Sequence, residues 1–185
     1  MDRTVPAGVP KILYVLIIVI LAGMYYYAAY VDVSNPEKVV ENFYNAYFAG
    51  DYDNVAENLS VFWSVQFLPE YTSQSPAELL NNRDEIIKEI NQVISEQEKE
   101  NPLEDNYSVE IHPEYTRQGM NSALVVYSIK QNGNKVGMEM AILINEAGQF
   151  RIFSMTPVNT ESLEMITEED VQALEKSFTE LLTTG

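Results

Sequence analysis

Twenty consecutive residues, Ile12 to Val31 (ILYVLIIVILAGMYYYAAYV), carry no charge. At 1.5 Å of rise per residue a helix of that length spans roughly 30 Å, the thickness of a bilayer's hydrocarbon core. A secretory signal has a shorter apolar stretch, about seven to fifteen residues, and ends in a small-x-small cleavage site. Here Tyr26 and Tyr27 stand just before Ala28 and Ala29, where bulky rings fit such a site badly, and Leu21-Ala22-Gly23 lies inside the apolar run. Tyr25, Tyr26, Tyr27 and Tyr30 suit an interfacial belt, with rings in lipid and hydroxyls at the head groups. Residues 12–31 are therefore expected to form a transmembrane helix, with a cleaved signal peptide as the competing reading. Arg3, Lys11 and the terminal amine precede the span, while Asp32 and Glu37 are the first charges after it. Basic flanks stay on the cytoplasmic side. This makes 1–11 a short cytoplasmic N-terminus and puts the rest outside a cell membrane crossed once.

Charge limits what the exported part can meet. Eleven Lys and Arg stand against 28 Asp and Glu in 185 residues, for a formal net charge of −17. So acidic a surface repels phosphate backbones, which excludes nucleic acid bound through a basic footprint. With no cysteine, disulfides, thiolate metal sites and thiol catalysis are all excluded.

Helical signals come first in the exported region. Ser34 or Asn35 caps a helix with Pro36 in its first turn, and Val39, Val40, Phe43, Tyr44, Tyr47 and Phe48 form its apolar stripe up to Gly50. DYDNVAENLS reads as a second short helix, and VFWSVQFL is ambiguous between strand and helix. SPAELLNNRDEIIKEINQVISEQEKE reads as one helix capped by Ser75. The period then changes to two. YSVEIHPEYT, SALVVYSIK, KVGMEMAILIN and QFRIFSMTPV read as four antiparallel strands in a meander, with turns at Gly119, Asn132-Gly133 and Gly148. After Pro157 a polar connector leads to a terminal amphipathic helix, with Thr167 and Asp170 as its capping pair. Residues 159–185 form this connector and helix.

Helices followed by an antiparallel sheet define an α+β layout. The opening PEKVVENFYNAYFAGDYDNVAENLS, with its aromatic-rich helix, GD-aromatic turn and second helix, resembles the nuclear transport factor 2-like superfamily. The last strand, GQFRIFSM, is similar to that superfamily's closing strands. The resemblance covers residues 35–158. It implies a cystatin-like α+β cone, a curved sheet wrapped around helices, often with a pocket at its open end.

Chemistry is sparse. The one histidine, His112, falls on the polar side of its strand beside Pro113 and suits a solvated edge. Glu139 shares a strand face with Gly137, Ala141 and Leu143. A carboxyl buried there would titrate high and could act as an acid or base; otherwise it pairs with Arg151 on the next strand. Glu139, Tyr44, Tyr47 and Trp63 are the candidate pocket residues, and no catalytic set is assigned. No acidic run has calcium-loop spacing, no second histidine exists for zinc, and no glycine loop or triad is present, so no metal or cofactor is expected. Strand 122–130 is apolar on both faces, and the helices are expected to cover only one. Val125, Tyr127 and Ile129 are accordingly the candidate interface, for a homodimer through the outer sheet face or for a membrane or envelope protein partner. The resulting expectation is a non-catalytic, membrane-anchored extracytoplasmic binding or assembly domain. The alternative is a small-molecule-binding protein or an isomerase- or dehydratase-type enzyme of the same fold.

Overall fold

A computed structural model of the chain describes residues 17–23, 34–100 and 106–183, the side chain of Glu100 excepted. It divides into two units, residues 1–33 and 34–185. In the first, residues 17–23 are helical and their side chains exposed. The rest of the expected span 12–31 lies outside the described residues. Among the described residues no helix is long and apolar enough to cross a membrane.

The second unit is α+β. Asn35 starts helix α1 (Pro36–Ala49) by accepting hydrogen bonds from the backbone N–H groups of Glu37 and Lys38. Gly50 ends it with φ +69°, a left-handed turn that a side chain would strain. Asp51 then caps α2 (Tyr52–Asn58), and Ser60 caps the single turn α3 (Val61–Ser64). Residues 61–67 are thus helical, a short turn followed by a 3₁₀ turn, which settles the ambiguity in VFWSVQFL. The single helix expected from Pro76 is two, α4 (Pro76–Asn81) and α5 (Arg83–Glu100). The break is at Asn82, whose side chain turns aside to donate to Gln74 Oε1 at 2.9 Å.

Five strands follow: β1 (Tyr107–Ile111), β2 (Arg117–Gln118), β3 (Ser122–Gln131), β4 (Asn134–Glu146) and β5 (Gln149–Pro157). They form one curved antiparallel sheet in the order β1-β3-β4-β5, with β2 also paired to β3. The expected first strand is therefore split. Pro113 cannot donate to the ladder, so a 3₁₀ turn over Pro113–Tyr115 interrupts it before Arg117 and Gln118 rejoin β3. Asn132 and Gly133 both take positive φ (52° and 78°) at the β3–β4 turn, as a type I′ hairpin requires.

Both faces of the sheet are covered. On the inner face Val125, Tyr127, Ala141, Leu143, Phe150 and Ile152 pack against Val39, Val40, Phe43 and Tyr44 of α1 and Val55 and Leu59 near α2. A second apolar cluster, with Val61, Leu79, Ile86 and Ile90 at its centre, ties α3, α4 and α5 together. On the outer face Leu124 and Val126 are buried under the C-terminal segment, α6 (Thr160–Glu164) and α7 (Glu168–Thr183). Leu163 and Ile166 close over Leu124, Val126 and Met140, leaving about 30 Å³ between them. Phe178 packs on Phe153 at 4.9 Å between ring centroids.

This cover corrects the interface expectation. Val125 and Tyr127 are fully buried on the inner face, and Ile129 packs against the same core. None of the three lines the outer face. That face belongs to the alternate row, Leu124 and Val126, and the chain's own terminal helices occupy it.

Candidate functional site

Helix α1 presents Phe43, Tyr44 and Tyr47 to the junction between helices and sheet. Trp63 comes in from α3, Val55 and Leu59 from around α2, Ile94, Gln97 and Glu98 from α5, and Met155 from β5. Together they line a cleft of about 280 Å³, at the lower end of the size of small-molecule sites. Phe43 and Tyr47 lie nearly parallel, 6.2 Å apart with a 9° interplanar angle, and Trp63 packs on Phe67 at 4.8 Å. The Tyr47 hydroxyl donates to Glu98 Oε1 at 2.6 Å. Burial, reinforced by that carboxylate, raises the Tyr47 pKa, so the phenol stays a donor. Among the described residues no Lys or Arg lies within ion-pair distance of Glu98.

Behind this wall sits a polar cluster of two buried tyrosines and a half-buried carboxylate. Tyr127 is directly opposite Glu139 across the β3–β4 ladder. The Tyr127 hydroxyl donates to Glu139 Oε2 at 2.7 Å, the Tyr44 hydroxyl reaches the same oxygen at 3.0 Å, and the two hydroxyls are 2.8 Å apart. Burial is the main reason both phenols titrate well above their ordinary range. Both therefore remain protonated. Each has one proton, and the cluster provides an acceptor for both.

Tyr44, Tyr47 and Trp63 thus meet on one cleft. Glu139 is not on its wall and connects to it only through Tyr44. Nor does Glu139 pair with Arg151. The turn at Ala147-Gly148 sets Glu146 against Gln149 and Ile144 against Arg151, which leaves Glu139 beside Pro157. Gly148 was the available signal for this register. His112 bonds through Nε2 to Ser128 Oγ at 2.7 Å, with Glu114 at 3.7 Å from Nδ1. Ser128 alternates with Tyr127 along β3, so His112 and Glu139 sit on opposite faces of the sheet and cannot converge.

Sequence reasoning missed two carboxylates. Glu98 falls on the charged last turns of its helix, and only the fold brings it to Tyr47. Glu146, at the end of β4, is 4 % exposed. Its Oε1 accepts from Ser60 Oγ (2.6 Å) and Val61 N (3.1 Å), and its Oε2 from Arg83 Nη1 (2.7 Å). This contact bolts the 59–61 segment and α5 to the sheet, beside the hydrogen bond from Ser60 N to Ile152 O. Among the described residues no group of three or more His, Asp or Glu side chains is arranged to hold a metal ion.

The site's class is an aromatic-walled cleft in an α+β domain. No family model matches the chain, and neither a curated protein nor a solved structure matches it.

Proposed function

We propose that the protein is a non-catalytic binding domain, held outside the cell membrane by residues 12–31 and built as a nuclear transport factor 2-like cone over 35–158. The observation that carries the reading is the cleft. It has an apolar, aromatic wall and, among the described residues, no converging acid–base pair, because His112 lies across the sheet and the hydroxyls of Tyr44 and Tyr127 are committed to Glu139. An isomerase would need those donors to aim at a substrate oxygen, and here a substrate would first have to displace the half-buried Glu139 carboxylate. With the outer sheet face occupied by α6 and α7, the cleft rather than a dimer interface is the place where this domain binds.

The placement has a direct test, since the chain has no cysteine of its own. Val136→Cys puts one thiol at an exposed position. A membrane-impermeant maleimide should label it on intact cells as fully as after lysis. Labelling that appears only after lysis would put the domain inside and end the proposal.

A further inference from the structure

Resting on the reading of the cleft as a binding site, we infer that its ligand is a small organic cation, an ammonium group on an apolar or aromatic body. Three observations converge on that class. The walls are rings: Phe43, Tyr44, Tyr47 and Trp63. Aromatic faces carry a negative quadrupole that attracts a cation and has no comparable attraction for a neutral group of the same shape.

Among the described residues, the one charged side chain lining the cleft is anionic. Glu98 is partly buried there and held in place by the Tyr47 hydroxyl, and it lacks a Lys or Arg partner among the described residues. A carboxylate removed from bulk water without a counter-charge is costly, and an incoming ammonium would supply one. An anionic ligand would meet Glu98 with no basic group to offset it, and the chain's overall charge of −17 opposes its approach. Volume completes the assignment. About 280 Å³ accommodates a single ring or short branched chain with its charged end and is too small to enclose a lipid or a folded segment.

The molecule carries its own reporter. Trp63 is the only tryptophan in the chain and lines the cleft. Emission excited at the red edge of its absorption can be followed in the full chain in dodecyl maltoside during titration with phenethylammonium, 2-phenylethanol and phenylacetate, which share a ring and nearly a length. Phenethylammonium should give a saturable change with an apparent Kd about tenfold below that of 2-phenylethanol, and phenylacetate should be the weakest. Glu98→Gln keeps an acceptor for Tyr47 and should remove most of the tenfold preference, weakening phenethylammonium far more than 2-phenylethanol. Equal binding of amine and alcohol, or a preference for phenylacetate, overturns the cation assignment but leaves the cleft as a binding site. An unchanged preference in Glu98→Gln overturns the role of Glu98. No saturable response to any of the three overturns the cleft reading itself.

Discussion

Glu146 shows how one side chain can hold two elements together and still leave a measurable mark on stability. Burial raises its pKa above the ordinary 4.5, and the opposing pull of Ser60, Arg83 and Val61 does not cancel that effect. Between 4.5 and the raised value, the folded chain therefore holds a proton that the unfolded chain has lost. Stability from this group is full below that window and falls as pH rises through it. Glu146→Gln has no such proton and also turns an amide toward Arg83 or Ser60, so it should destabilise the domain by about 1–3 kcal/mol. The penalty should be larger at pH 5 than at pH 7, because only the native carboxyl weakens over that interval. Urea unfolding at the two pH values measures it. A penalty that grows with pH would mean that the Arg83 pair, at 2.7 Å, outweighs desolvation after all.

At the scale of elements, the docking of α7 turns on one carboxylate. Glu175 accepts hydrogen bonds from Asn121 N at 2.9 Å and Ser122 Oγ at 2.6 Å, and the Asn121 side chain donates to Thr179 Oγ1 at 2.9 Å. A Cβ added to Gly119 would sit 2.3 Å from Glu175 Oε2, so Gly119→Ala must shift that carboxylate and weaken its hold on the turn. Glu175→Ala removes the same contact from the other side. Each alone should cost about 1–2 kcal/mol, and the pair little more than either, since both break one interaction. Additive losses in a double-mutant unfolding series would show that the two act separately. What the sequence told about elements follows the same division between local and non-local causes. The caps at Asn35, Ser75 and Thr167 and the Asn132-Gly133 turn are written in a few adjacent residues and were legible there. The break at Asn82 was not, because nothing in NNRDEII forbids a continuous helix; a bond to Gln74 at the far end of the preceding turn decides it. On the candidate site, the stripe of α1 did identify Tyr44 and Tyr47 as neighbours, but Glu98 and Glu146 meet their partners 51 and 86 residues away.

For the molecule as a whole, the question left open by the sequence was which row of β3 faces in. Both rows are apolar, Val125 and Tyr127 on one side, Leu124 and Val126 on the other, and period-two patterning separates the rows without ranking them. The helices that follow the sheet decide it, since α6 and α7 return across the outer face and remove the surface on which self-association was expected. That surface reappears if the cover is lost. A chain ending at Val158 should expose Leu124, Val126, Met140 and Phe153 together, a contiguous patch that monomers rarely tolerate. Sedimentation of residues 34–158 against 34–185 at equal concentration should show the shorter chain self-associating and the longer one monomeric. Phe178→Asp in the 34–185 chain offers the same test without truncation, because a carboxylate cannot stay in the buried seat of Phe178 on Phe153 and should lift α7 from the sheet. If both variants remain monomeric with an unchanged near-UV spectrum, the outer face does not need α7, and the sheet must tolerate its second apolar row in water.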